Sequence, residues 1–144
     1  MQIENFSIDL YDDVITLWKA VNLSLGSSDT REEIERVLKR NPTLFLVGKI
    51  DEKIISAVFG GFDGRRGFVH HLAVHPKFQK QGYGKLMMNE LMKRFKELDV
   101  HKVHLFIEIE NEGVVDFYSK QGWHLRDDLK MMSYLLKNPK NIRE

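Results

Sequence analysis

The residues best suited to chemistry in this chain lie in a glycine-containing turn between Val74 and Lys85. An apolar segment, residues 68–74, leads into the turn, and apolar residues at helical spacing follow it: Leu86, Met87, Leu91, Met92 and Phe95. Glycine lets the backbone approach a ligand closely, and the first N–H groups of a helix have no partners inside the helix. The turn therefore predicts a phosphate or pyrophosphate site, and three lysines add positive charge to it: Lys77, Lys80 and Lys85.

Two familiar phosphate-binding motifs do not fit this turn. A P-loop requires Ser or Thr after its Gly-Lys pair, and here Leu86 follows Lys85. A dinucleotide-binding fingerprint requires a third glycine three residues after the second, and that position is Met87. The pattern that remains is Gln-x-x-Gly-x-Gly over residues 79–84.

Length and composition favour one globular domain over residues 1–144. Apolar residues make up 42% of the chain, charged residues 30%, and the formal net charge of +1 gives no reason to expect nucleic-acid binding. No apolar run approaches the ~20 residues of a membrane span and no signal peptide is evident, so we expect a cytoplasmic protein. Cysteine is absent, which excludes a cysteine nucleophile and leaves direct attack as the simplest route for any acyl transfer.

The hydrophobic pattern predicts an α/β chain of order β-α-α-β-β-β-α-β-α-β-β around one mixed sheet. Strands are predicted at residues 2–6, 44–50, 54–62, 68–74 and 103–109, followed by a final hairpin over 123–136. The first helix, capped by Ser7 or Asp9, buries Val14, Leu17, Trp18 and Val21; the second starts at a Thr30-x-x-Glu33 capping box and buries Ile34, Val37 and Leu38. A third helix follows Gly84, and a fourth, over residues 113–120, ends at Gly122.

Three local motifs, in this order along the chain, resemble the GNAT superfamily of N-acetyltransferases. They are the strand His70-His-Leu-Ala-Val-His-Pro76, the turn Gln79–Gly84 with its helix, and Asn111 followed by Phe117-Tyr118 and Gly122-Trp123. They span residues 68–123, and the chain is most similar to small stand-alone bacterial members, such as those resembling ribosomal-protein alanine acetyltransferases. The resemblance implies the acyl-CoA N-acyltransferase fold, acetyl-CoA as co-substrate and N-acetyl transfer as the activity.

The resemblance also implies where acetyl-CoA is held. In the family the fourth and fifth strands separate, and the pantetheine arm lies between them almost like an added strand. The backbone of Leu72, Ala73 and Val74 would contact it, with an N–H at or beside Leu72 facing the thioester oxygen. The pyrophosphate would lie on the turn formed by Gln79, Lys80, Gln81, Gly82, Tyr83, Gly84 and Lys85. Gln79 replaces the commoner Arg and Lys80 the commoner Gly, while Asn111 is expected to cap a helix or to hydrogen-bond near the cofactor.

Two residues are candidates for proton transfer. Tyr118 would protonate the departing CoA thiolate, although its helical spacing with Val114 and Phe117 also fits a plain core position. No Glu occurs between Gly67 and His75 to serve as base. We choose His70, since arylalkylamine N-acetyltransferases carry a histidine at the similar position, and alternation along a strand allows at most one of His70 and His71 to face the cleft. Glu108 or Glu110, acting through water, is the alternative.

The predicted acceptor is a primary amine, either a peptide N-terminus or a small molecule. The first two helices offer polar side chains without a decisive charged clamp: Trp18, Asn22, Ser24, Ser27, Ser28 and Asp29. A catalytically inactive CoA-binding module is the alternative function, another acyl donor stays open, and a homodimer is only a family-level expectation. No metal is expected, because the four-residue spacing of His71 and His75 suits a zinc pair on a helix and not on a strand.

Overall fold

The computed structural model describes residues 1–137 and shows a five-stranded mixed sheet in the order β1-β2-β3-β4-β5. The strands are β1 Gln2–Asn5, β2 Phe45–Ile50, β3 Lys53–Phe62, β4 Arg66–Val74 and β5 Lys102–Leu105. The helices are α1 Tyr11–Ala20, α2 Arg31–Arg40, α3 Tyr83–Glu97 and α4 Val115–Ser119. The first four strands are antiparallel neighbours and β5 runs parallel to β4, which confirms the mixed α/β class.

The chain divides into two units at Leu105/Phe106. The first contains all five strands and helices α1 to α3, and the second contains α4. The expectation of a single domain over residues 1–144 stays a prediction. In the described part of the chain, every helix is too short or too polar to cross a membrane.

Of the two helices before β2, only the second begins at its predicted cap: α1 begins at Tyr11 after Leu10, and neither Ser7 nor Asp9 caps it. A short 3-10 turn, Ile8–Leu10, follows Ser7 and leads into α1, which buries Val14, Leu17 and Trp18. At α2 the Thr30 hydroxyl oxygen accepts a hydrogen bond from the Glu33 N–H at 3.3 Å, which satisfies one of the unpaired donors of the first turn. Asn41-Pro42 follows the end of α2, because the residue before proline avoids helical backbone angles.

Helix α3 packs on the sheet through Met87, Met88, Leu91 and Phe95. The sequence placed Leu86 on this face, but Leu86 is 49% exposed and Met88 is buried in its stead. The Phe95 ring lies against two glycines of neighbouring strands: a Cβ added at Gly60 would be 2.6 Å from the ring, and one at Gly67 would be 2.8 Å from it. Both strands therefore have glycine at the contact, because a Cβ atom at either position would clash with the aromatic ring.

The part of the chain after β5 corrects the sequence prediction. The fifth strand ends at Leu105 and not at residue 109, and a 3-10 segment, Ile109–Val114, precedes the short α4. The hairpin predicted over residues 123–136 is absent, and these residues form no regular secondary structure. An isolated hairpin is marginal in water, and the consecutive apolar pairs Met131-Met132 and Leu135-Leu136 break the alternation that a one-sided strand needs.

Candidate active site

A β-bulge shapes the middle of β4. Ala57 pairs with Ala73 and Phe59 with His70, so two residues, His71 and Leu72, lie opposite the single residue between Ala57 and Phe59. His71 adopts a φ of +53°, in the left-handed region that non-glycine residues rarely occupy. A bulge of this kind bends the strand and disrupts the alternation of its side chains.

Because of the bulge, both histidines line one cavity of about 550 Å³. The prediction that at most one of His70 and His71 faces a cleft is therefore wrong: strict alternation holds only where the ladder is regular. The remaining wall is formed mainly by α2 and the segment before it: Ser28, Asp29, Glu33, Ile34, Arg36, Val37 and Arg40, with Phe59 from β3.

His71 and Asp29 form a close pair in the wall of this cavity. The His71 Nε2 atom lies 2.7 Å from the Asp29 Oδ1 atom, and their side chains are 22% and 10% exposed. The second carboxylate oxygen accepts a hydrogen bond from the Gly26 N–H at 2.8 Å, and the Asp29 carbonyl oxygen accepts one from the Tyr11 hydroxyl at 2.6 Å. These bonds join the 3-10 segment Ser27–Asp29 to β4 and to α1.

Burial and nearby charges both affect the pKa values of Asp29 and His70 in the wall of this cavity. Burial alone would raise the pKa of Asp29, but hydrogen bonds from His71 and Gly26, together with the charges of both histidines, bring that pKa below its usual value. For His70, burial is the main effect and lowers the pKa of the imidazole, and the neighbouring His71 lowers it further. The His70 ring stacks on Phe59 with centroids 5.0 Å apart. His70 is therefore neutral at pH 7 and able to accept a proton.

The sheet opens beside the second half of β4. Strand β5 pairs with β4 only from Arg66 to Val69, whereas β3 continues to pair as far as Val74. Leu72, Ala73 and Val74 lie beyond the last pair of the β5 ladder, and Leu72 lies in the bulge. This arrangement has the open edge to which an extended ligand arm can add.

Strand β4 leads directly into the glycine turn. A 3-10 segment, Pro76–Phe78, follows the strand, and α3 begins at Tyr83 after Gly82. Gly82 has a φ of +86°, which favours glycine, and no side chain caps the helix there. The first helical hydrogen bond of α3 is donated by the Leu86 N–H to the Gly82 carbonyl at 3.1 Å, so the preceding N–H groups of the first turn lack intrahelical partners.

The side chains of the turn divide into two groups. Gln79 donates through its amide to the Val74 carbonyl at 2.9 Å, and Gln81 donates to the Lys77 carbonyl at 3.4 Å, so both stabilise the turn itself. The ion pairs found within residues 1–137 involve none of Lys77, Lys80 and Lys85. The first turn of α3 contains no acidic residue, so the charge around it is positive.

Tyr118 lies in α4, within the second unit. Its ring contacts Phe117 and Trp123 edge-on, at centroid distances of 5.0 and 6.0 Å. Burial raises the pKa of Tyr118 to about 12, so its phenol is protonated at neutral pH. That state is the one a general acid requires.

Three other residues predicted for the site lie in the same unit: Asn111, Glu108 and Glu110. Asn111 lies inside the 3-10 segment Ile109–Val114, and Val114 is the residue that precedes α4, so Asn111 does not cap that helix. Glu108 and Glu110, the alternative bases, are exposed around the start of the same segment. A role of Asn111 near the cofactor stays a prediction.

Two of the six residues considered for an acceptor pocket line the cavity, and the role of the cavity as that pocket stays a prediction. Ser28 and Asp29 line the cavity, whereas Trp18 is fully buried with its ring 4.8 Å from that of His71. Asn22, Ser24 and Ser27 are not among the cavity-lining residues. No charged clamp is predicted from the sequence, whereas in the structure Glu33, Arg36 and Arg40 line the cavity. Their spacing along α2 could have indicated a shared face.

Comparisons with known proteins identify the family of this chain. The model of the acetyltransferase (GNAT) family matches residues 9–123. A protein of Pectobacterium atrosepticum described as an acetyltransferase is 33% identical over 138 residues, covering 96% of this chain and 98% of the relative. An acetyltransferase of Sodalis glossinidius is 30% identical, covering 92% and 93%.

Solved structures share the fold. Ard1 from Thermoplasma volcanium superposes with a TM-score of 0.78 at 19% identity, covering 87% of this chain and 83% of that one. The PaiA N-acetyltransferase from Thermoplasma acidophilum, solved in complex with coenzyme A, gives 0.75 at 18% identity, covering 88% and 91%. With the sheet order, the opening beside β4 and the glycine turn already in place, these matches show that the chain belongs to the GNAT acetyltransferase family and is an N-acetyltransferase.

Proposed function

We propose that this N-acetyltransferase transfers the acetyl group of acetyl-CoA to a primary amine, which attacks the thioester directly. One observation carries the proposal: a single strand, β4, presents His70 to a cavity and ends in a turn with unpartnered helix N–H groups. A proton acceptor and an anion-binding turn are the two elements that amine acetylation by acetyl-CoA requires. The chain also has no cysteine to form an acyl-enzyme thioester.

The turn and the open half of β4 are the proposed acetyl-CoA site. The N–H groups of the residues from Gly82 to Lys85 would bind the pyrophosphate, with Lys80 and Lys85 adding charge. The backbone of Leu72, Ala73 and Val74 would bind the pantetheine arm at the edge that β5 leaves unpaired. In this scheme the Leu72 N–H stabilises the oxyanion that forms on the thioester carbonyl.

Proton transfer is assigned to His70 and Tyr118. The neutral His70 ring would take a proton from the nitrogen as it attacks, and the Tyr118 phenol would give its proton to the sulfur as the C–S bond breaks. The shift in the pKa of each ring, lowered for His70 and raised to about 12 for Tyr118, keeps both rings in the required state at pH 7.

The first experiment is a screen of amines with isotope-labelled acetyl-CoA, read by mass spectrometry and by release of CoA. The cavity carries both signs of charge, from Asp29 and Glu33 and from Arg36 and Arg40. The panel should therefore include amino acids, phosphorylated amino sugars, polyamines, arylalkylamines and peptides with a free N-terminus. CoA binding by calorimetry without acetylation of any amine would favour the CoA-binding module instead.

Tyr118→Phe tests the assigned acid. We expect kcat to fall by about 100-fold or more, because thiolate departure loses its proton donor, while the Kd of acetyl-CoA changes little. Tyr134→Phe is the matched control, since the Tyr134 side chain is 88% exposed in the same unit. Equal turnover by Tyr118→Phe and wild type would end the assignment.

A further inference from the structure

The pair of His71 and Asp29 has the geometry of a proton-transfer pair that the sequence did not indicate. The carboxylate is held from two sides, by His71 at 2.7 Å and by the Gly26 N–H at 2.8 Å. The Tyr11 hydroxyl binds the carbonyl of the same aspartate at 2.6 Å, which fixes the residue from a third direction. The Asp29 side chain is also nine-tenths buried, so its carboxylate has a defined position in the cavity wall.

The β-bulge holds the backbone at His71 in a strained conformation. A φ of +53° at a histidine costs on the order of 1–3 kcal/mol, and such outliers concentrate at functional sites. Trp18 and Phe59 contact the ring at their edges, with centroids 4.8 and 5.5 Å away. These contacts orient the imidazole, and its side chain lines the same cavity as His70.

The hydrogen bond determines which nitrogen of His71 can accept a proton. With Asp29 ionised, the imidazole N–H that faces it is on Nε2, and in a neutral ring the second nitrogen, Nδ1, then carries a lone pair. A carboxylate bound to one nitrogen also stabilises the imidazolium that forms when the other nitrogen is protonated. Asp29 is thus a positioning residue for His71.

We propose that His71, oriented by Asp29, is a second proton acceptor for acetyl transfer and deprotonates the incoming ammonium. This inference rests on the proposed function, because an ammonium must lose two protons on its way to an amide. The first passes from the ammonium nitrogen to His71 Nδ1 and frees the lone pair. The nitrogen then bonds to the thioester carbon, and its remaining excess proton passes to His70.

The rest of the reaction balances. The C–S bond breaks with its electron pair on sulfur, Tyr118 protonates that sulfur, and the phenolate regains a proton from solvent. His70 and His71 release their two protons to solvent, so the whole reaction yields one proton for each amide formed. The charged forms of the two rings disfavour each other, so His71 releases its proton before His70 accepts one.

Several charged and titratable groups line the cavity together with His71 or bond to its partner Asp29, and they define what a pH profile would report. They come from α1, from the segment before α2, from α2 and from β4 itself: Tyr11, Asp29, Glu33, Arg36, Arg40 and His70. Only Asp29 is hydrogen-bonded to the ring. Substituting Asp29 therefore changes the direct partner and leaves the wider charges in place.

The test compares two acceptors of different basicity: an amine accepted in the screen and its β,β,β-trifluorinated analogue, which is a much weaker base and is largely neutral at pH 7. For His71→Gln we expect kcat/KM to fall about 100-fold with the parent amine and at most about 10-fold with the analogue. Asp29→Asn should show the same preference for the analogue and should displace the acidic limb of the pH profile. Tyr11→Phe is the control, since it loosens the same loop and should affect both amines equally.

Equal losses with both amines would reduce His71 to a structural residue and overturn the proposal. A measurement on the wild-type protein does not depend on the variants folding: ¹⁵N spectra of labelled histidine should show the His71 proton on Nε2, and a resting proton on Nδ1 would also overturn it. A wild-type enzyme that acetylates no amine would instead refute the proposed function.

Discussion

The middle and the end of strand β4 present two different kinds of chemistry. In the middle, a bulge aims two side chains, His70 and His71, into one cavity. At the end, the turn from His75 to Lys85 presents backbone N–H groups, and its two glutamines stabilise the turn itself. Function in the middle should therefore depend on side-chain identity, whereas function at the end should depend on backbone conformation.

The largest effect is expected in the middle of the strand. His70→Gln should lower kcat/KM by about 100-fold, because the proposed base is removed. His70 must be neutral to act, and burial lowers the pKa of its ring below the ordinary 6.5. In wild type, activity should therefore fall only as the pH drops below about 6.5, and the variant should displace that limb. His101→Gln, at an exposed position before β5, is the control, and an unchanged profile for His70→Gln would exclude it as the base.

At the end of the strand, conformation should matter most. Gly82→Val places a β-branched residue at a φ of +86°, and a strain of about 1–3 kcal/mol should raise the KM for acetyl-CoA by about 10- to 100-fold. Gly64→Val is a close control: Gly64 has a φ of +99°, and an added Cβ there, as at Gly82, would meet nothing within 4 Å. Similar KM values for the two variants would mean that the turn does not bind the cofactor.

The smallest effect is expected from a single charge at the turn. Lys85→Gln should raise the KM for acetyl-CoA only about two- to five-fold, and the difference from wild type should shrink in about 0.5 M salt, because an exposed charge is screened. Lys96→Gln, near the far end of the same helix, is the control. A loss as large as that of Gly82→Val would show that side-chain charge, and not backbone conformation, governs this end of the strand.

The difference between the middle of β4 and the turn at its end also explains which features could be predicted from the sequence. The turn is encoded by consecutive residues, so its glycines could be identified directly, and with the helix that follows it formed one of the three motifs that carry the family resemblance. The cavity depends on a bulge that adds one residue to β4, and a run such as His70-His71 does not reveal where a ladder loses its alternation. The partner of His71 lies 42 residues earlier in the chain, a separation that no local pattern can bridge.

The remaining errors lie after β5. Alternation from Val103 to Ile109 predicted a longer strand, but pairing with β4 ends at Leu105. Within the segment predicted as a hairpin, Arg126 forms a local ion pair with Asp128, without strands on either side. Strand formation depends on a partner as well as on pattern, and the sequence supplies only the pattern.

The Phe95 ring, near the carboxyl end of α3, packs on Gly60 of β3 and Gly67 of β4, so these glycines determine how closely the helix lies on the sheet. A methyl group at either glycine would push α3 away from the sheet at Phe95. Because a helix is stiff, its amino end would move as well. Residues of the sheet would thereby influence the position of the amino end of α3, where the pyrophosphate is proposed to bind. Substitutions in the sheet beneath α3 would therefore change cofactor affinity among natural variants, without any change in the turn.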